Sequence, residues 1–251
     1  MVGLFQAWLR WSLMGCVILL AVQMQASTAS MTYTRVEEMT GWSTCGNCGN
    51  SGASGATANY VMTRGITSPS RDGSSSKYSI SGGAAYSNGY WYLEHKAPAR
   101  GVTYLAYDFY LYVPSGYLNT PQAIEFECQQ RVSGWTYNFA WQADYADNSW
   151  RIFNYGTRTW NSVGLALKRF STGTWHHIVA EFHTNTSTHT VYHDALTIDG
   201  VRHGINKATA AKYTGNWSNE FTNAFQLDQN SGPTGYHVYV DAMKVTMQYP
   251  Q

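Results

Sequence analysis

Charge is scarce in this chain. Only 12% of its 251 residues are Asp, Glu, Lys or Arg, and 16 basic residues nearly balance 15 acidic ones. No basic stripe is present to neutralise phosphates, which argues against nucleic acid as a partner. Helical periodicity is missing as well: no long window repeats apolar residues every three or four positions. Internal repeats and a linker between two domains are also absent. Cysteine is rare, at four residues. Cys45 and Cys48 bracket Gly46-Asn47, but nothing around them has the βαβ pattern that a redox Cys-x-x-Cys requires, and Cys128 supplies no second pair for zinc. A small loop-pinning disulfide between Cys45 and Cys48 is the reading that suits an exported chain, with Cys128 a buried free thiol.

Export itself is read from the N-terminus. Arg10 precedes an apolar run from Trp11 to Val22, and small residues follow at Ala26, Ser27, Thr28 and Ala29. That is the pattern of a secretory signal peptide cut after Ala29. The run falls short of the roughly 20 apolar residues that a retained span needs. Leu13-Met14-Gly15-Cys16 resembles a lipoprotein box but lies too close to Arg10 to serve as one. The expected mature protein is therefore a single domain, residues 30–251, secreted to the periplasm or beyond the cell and without membrane attachment.

Aromatic residues outnumber charged ones, at 15% against 12%. They fall in short segments of alternating polarity, the period of half-buried strands. Strands are expected at 77–80, 90–95, 104–113, 123–130, 137–144, 151–155, 175–183, 190–198, 224–228 and 237–247. Gly41–Gly55 and Thr67–Ser76 read as loops. Such a series predicts an all-β, two-sheet sandwich.

One surface of that sandwich stands out. Ile124, Phe126 and Cys128 share one strand face and Glu125, Glu127 and Gln129 the other. On the next strand Tyr137, Phe139, Trp141 and Ala143 share a face, opposite Asn138, Ala140, Gln142 and Asp144. If the two strands pair across the turn between Arg131 and Trp135, the polar faces merge into one patch, with Trp135, Trp150 and Tyr155 near it. Aromatic faces stack on sugar rings, and carboxylates and amides bind hydroxyls, so the patch predicts carbohydrate binding.

The C-terminal third carries a resemblance. Trp175-His176-His177-Ile178-Val179-Ala180-Glu181-Phe182 is followed by Asp199-Gly200 and by His237-Val238-Tyr239-Val240-Asp241. This order resembles the laminin-G and concanavalin A-like jelly rolls, which implies a glycan-handling sandwich in which His176 and His177 are strand residues. Glu125-x-Glu127 is similar to the Glu-x-Asp-x-Glu strand of laminarinase-type glycoside hydrolases. That similarity implies an alternative, an endo-acting hydrolase with Glu125 and Glu127 as the catalytic acids. Gln129 or Gln130 stands where that family has its acid/base, and a glutamine cannot cycle a proton. A polysaccharide lyase using Gln129, Asn138, Gln142 and a nearby Tyr is the other enzymatic alternative. An adhesion module without glycan chemistry is a third class. No cofactor for chemistry is expected. The family's terminal-strand aspartate implies a structural Ca²⁺ at Asp241, with Glu37 or Glu38 contributing.

Overall fold

Along β6 (Tyr104–Tyr112) burial alternates without a break: Leu105, Tyr107, Phe109 and Leu111 are buried, and the residues between them are partly exposed. A strand that buries one face needs a second layer. The computed structural model, which describes residues 27–46, 57–98, 100–215, 219–230 and 234–251, supplies it as two antiparallel sheets packed face to face in a jelly-roll sandwich. Residues 1–26, with most of the expected leader and Cys16, lie outside the described residues, as does Cys48. The expected Cys45–Cys48 pair is therefore only half described.

The first sheet runs from β13 (Val201–Ala210) through β12 (Thr190–Ile198), β11 (Trp175–Asn185) and β6. It continues through β16 (Tyr236–Pro250) and β4 (Ser75–Ser81) to β3 (Asn59–Ile66). β1 (Thr28–Thr34) also pairs with β16, and its first residues Thr28 and Ala29 lie opposite Pro250 and Tyr249. The strand thus begins two residues before the expected cut after Ala29.

The second sheet carries the polar patch. Its order is β10 (Thr159–Ala166), β9 (Ser149–Asn154), β8 (Trp135–Asp144), β7 (Ala123–Val132), β15 (Glu220–Asp228), β5 (Asn88–His95) and β2 (Ser43–Gly46). A short β14 (Lys212–Tyr213) pairs with β8. Tyr78, Phe109, Phe126 and Phe225 meet between the sheets with ring centroids 4.8–6.2 Å apart, Phe109 on Phe126 edge to face. Each such ring taken out of water contributes roughly 1.5–3 kcal/mol.

Ten of these strands lie where alternation places them, within a few residues at each end. The others were hidden for physical reasons. β2 lies inside the expected Gly41–Gly55 loop, because an edge strand can form from backbone hydrogen bonds without an apolar face. Its glycine has a function: a Cβ at Gly46 would sit 2.7 Å from Tyr60 Cε1, and one at Gly89 would sit 2.5 Å from Tyr60 Cβ. β3, β10 and β13 are largely exposed strands whose sequences lack a strong apolar period, and β1, which alternates at Ala29, Met31 and Tyr33, overlaps the expected leader. The Asp199-Gly200 turn is as expected, with both residues at positive φ (50° and 82°).

Candidate functional site

β7 and β8 are joined by Ser133 and Gly134, both in the left-handed region at φ 51° and 80°. This two-residue turn sets the register, and the expected patch forms: Glu125 lies opposite Gln142, Glu127 opposite Ala140, and Gln129 opposite Asn138. On the other side of β7, β15 places Gln226 opposite Glu125 and Asp228 opposite Ala123. A cleft of about 370 Å³ opens over these strands, on the face turned away from the core. Glu125, Glu127, Gln129, Asn138, Gln142 and Asp144 all line it, and so does Tyr155.

Burial changes the character of these groups. Glu125 is 8% exposed, Asn138 3% and Gln142 4%, so the floor is far drier than an ordinary outer sheet face. Glu125 Oε1 accepts from Gln142 Nε2 at 2.5 Å, and Glu125 Oε2 accepts from Gln226 Nε2 at 2.8 Å. The same Gln226 nitrogen lies 2.8 Å from Asp228 Oδ1. Burial raises both carboxyls, Asp228 to about 7 and Glu125 well above its ordinary value; the charge of Asp228 adds to the rise at Glu125, and that of Asp144 to the rise at Asp228. The two side chains lie within hydrogen-bonding reach of each other, and such carboxyls titrate as a pair. Glu127 accepts from Tyr90 Oη and from Asn138 Nδ2, the latter at 2.9 Å. Burial raises it too, against the pull of those two donors. Asn138 Oδ1 and Gln142 Oε1 remain without a hydrogen-bond donor.

Two aromatic assignments need correction. Trp150 is 1% exposed and packs edge to face on Trp141 and Phe170, so it belongs to the core and not to the rim. On β9 it shares parity with Ile152, which faces inward. Trp135 stacks on His189 at 3.6 Å, and its ring does not line the cleft. The aromatic wall comes from Phe153 and Trp160, paired across β9 and β10 with centroids 5.1 Å apart, together with Tyr155, Tyr86 and Tyr90. Gln226, Asp228, Arg151 and Arg158 also line the cleft and were missed. Alternation with Phe225 and Leu227 does turn Gln226 and Asp228 outward. What no local pattern reveals is that β15 lies beside β7.

Gln129 lines the cleft, while Gln130 is buried and holds the Val102 amide at 2.8 Å. Cys128 is a buried free thiol, raised by burial well above its ordinary range. Away from the cleft, Ser171, His176 and Asp199 fall in a row, with Ser171 Oγ 3.1 Å from His176 Nε2 and Asp199 Oδ2 2.7 Å from Nδ1. Nε2 is also 2.9 Å from the Ser171 carbonyl, an acceptor. The row ties β11 to the β12–β13 turn, in keeping with His176 and His177 as strand residues.

For the implied calcium ion, no group of three His, Cys, Asp or Glu side chains among the described residues is arranged to hold a metal. Asp241 is fully buried; Oδ2 accepts from Ser70 Oγ at 3.0 Å and the Arg71 amide at 2.5 Å, and Oδ1 from the Ala242 amide at 2.7 Å. Glu37, also buried, accepts the Met243 amide at Oε2 while Oε1 has no partner. Burial, with the charge of Asp241 adding to it, raises Glu37 to about 8. An orphaned carboxylate oxygen close to a second carboxylate fits a hard cation, which would draw its remaining ligands from carbonyls and water.

No family model matches the chain, and no curated protein matches it. Solved structures do resemble it in outline. One titled for the promiscuous specificity of carbohydrate-binding modules of the β-sandwich superfamily is 15% identical, with a TM-score of 0.42 over 81% of this chain; the chain spans only 56% of that structure. A family 11 carbohydrate-binding module from Clostridium thermocellum, in complex with a mixed-linked tetrasaccharide, is 11% identical with a TM-score of 0.41, covering 86% of this chain and 94% of the module. A carbohydrate esterase from the Shiga toxin-encoding bacteriophage phi24B is 15% identical with a TM-score of 0.47, over 89% of this chain and all of the esterase. Likeness at this level does not bear on what the chain binds or does.

Proposed function

We propose that this protein is a secreted carbohydrate-binding sandwich whose cleft, on the outer face of β7, β8 and β15, holds a polysaccharide. One observation carries the reading: a single cleft gathers amides and carboxyls on its floor and aromatic rings on its wall. Floor groups such as Glu127, Gln129 and Asn138 offer donors and acceptors to hydroxyls, and Tyr155 and Trp160 offer faces to sugar rings. The unpartnered oxygens of Asn138 and Gln142 favour a ligand or waters that donate hydrogen bonds. A structural Ca²⁺ near Glu37 and Asp241 belongs to the same proposal and would hold the 3-10 turn Val36–Glu38 against β16.

A second reading, an endo-acting hydrolase or lyase on the same floor, is favoured by the Glu125–Asp228 pair. A carboxyl that keeps its proton to about pH 7 beside a cleft has the property of a general acid. Retention on a polysaccharide panel, measured together with release of reducing ends and unsaturated products, separates the readings. Retention without release supports binding, release supports the enzyme, and neither outcome would leave the cleft without a carbohydrate role.

A further inference from the structure

We propose that the cleft is built for an anionic polysaccharide, one carrying carboxylate or sulfate groups, and that Arg158 is the residue that recognises them. The proposal rests on the cleft being a carbohydrate site and adds the class of carbohydrate.

Among the acids of the lining, Glu125 and Asp228 are tied through Gln226, Glu127 is held by Tyr90 and Asn138, and Asp144 is paired with Arg151 at 2.7 Å. Among the bases, Arg131 is paired with Glu220 at 3.1 Å, and Arg151 reaches Asp147 as well as Asp144. Arg158 alone of the charged lining groups has no carboxylate or hydrogen-bond acceptor for its guanidinium among the described residues. Its nearest recorded contact is the Tyr155 ring, 5.8 Å from the guanidinium carbon to the centroid.

The turn that carries it is well held. The Arg158 amide donates to the Asn154 carbonyl at 2.7 Å, and Asn154 Oδ1 accepts the amides of Gly156 and Thr157 at 3.1 and 3.4 Å. A guanidinium offers a planar fork of donors that matches a carboxylate or a sulfate, and low-dielectric walls focus its field into the cleft. Burial favours the neutral forms of Glu125 and Asp228, which lessens their repulsion of such a polymer. A neutral glycan needs none of this.

Titration calorimetry at low salt tests it with two polymer pairs: polygalacturonate against its carboxyl-reduced form, and a sulfated galactan against its desulfated form. At least one parent should bind about tenfold tighter than its own neutral derivative, the effect of one charged hydrogen-bonded contact. The pair that shows the difference identifies the group as carboxylate or sulfate. Arg158→Gln should bring the parent's affinity down to that of the derivative, and Arg158→Lys should recover only part of it. Arg158 is exposed, so an unchanged melting curve for both variants is expected. Neutral derivatives that bind as tightly as their parents, or a preference that survives Arg158→Gln, would overturn the proposal and leave the carbohydrate reading standing. Binding to none of the four polymers would also overturn the proposal, while retention on the wider polysaccharide panel decides the carbohydrate reading.

Discussion

Glu125 on β7 and Asp228 on β15 are tied by one amide nitrogen, with Gln226 Nε2 2.8 Å from Glu125 Oε2 and 2.8 Å from Asp228 Oδ1. The tie has a thermodynamic consequence. Burial raises Asp228 to about 7, so the folded state keeps a proton that the unfolded chain releases near its ordinary value of 3.8. For a raised carboxyl the stabilising contribution is fully present below the unfolded value and is lost as pH rises through the folded one. In chelator-treated protein Glu37, raised to about 8, acts in the same direction. Thermal midpoints should therefore drift downward from about pH 5 to about pH 8. Asp228→Asn should remove part of the drift, and Asp228→Asn with Glu37→Gln most of it. A double variant with the parent's slope would contradict this.

His193 sets the opposite limb. It is fully buried among Trp141 and Phe182, with centroids 5.7 and 5.1 Å away, and burial lowers it to about 3 from 6.5. A depressed histidine contributes stability that is present above its unfolded value and is lost as pH falls from there toward the folded one. His193→Phe keeps an aromatic ring in the gap and removes the charge that must otherwise be buried. The variant should gain midpoint relative to the parent as pH drops from 6.5 toward about 4. Equal losses in both proteins would show that His193 does not set the acid limit.

The two tryptophans of β9 and β10 should behave in opposite ways. Trp150→Ala leaves a cavity in the core and should cost about 3–5 kcal/mol in denaturant unfolding. Trp160→Ala, at the partly exposed cleft wall, should leave the unfolding midpoint nearly unchanged. It should weaken carbohydrate binding by on the order of 1 kcal/mol. The reverse pattern would place the working aromatic at Trp150.

Chelation tests the cation proposed beside Asp241. A bound ion stabilises only the folded state, so removing it should lower the midpoint, and adding Ca²⁺ should restore it. Glu37→Gln should blunt both effects, since it supplies the orphaned oxygen. A midpoint indifferent to chelator would remove calcium from the account.

The floor of the cleft was legible because it depends on local rules. Parity divides Glu125, Glu127 and Gln129 from Ile124, Phe126 and Cys128, and a short turn at Ser133-Gly134 fixes which residues of β8 face them. The wall was not legible. Trp160 lies on β10, whose sequence Thr-Trp-Asn-Ser-Val-Gly-Leu-Ala has no apolar period, and its place follows from pairing with β9. Asp228 required knowing that β15 returns beside β7 after more than 80 residues, a contact that strand patterns do not encode. Trp150 has polar neighbours in sequence, but its shared parity with Ile152 turns it into the core.

If this cleft binds carbohydrate, it does so through its floor. Titration calorimetry of the parent and of a Glu127→Gln, Gln142→Ala double variant, against whichever polysaccharide the panel retains, tests it most directly. The double variant should melt within a few degrees of the parent, with affinity reduced about tenfold or more, as loss of a charged hydrogen-bonding group and an amide requires. Undiminished affinity in a folded double variant would mean that carbohydrate binds elsewhere on the protein.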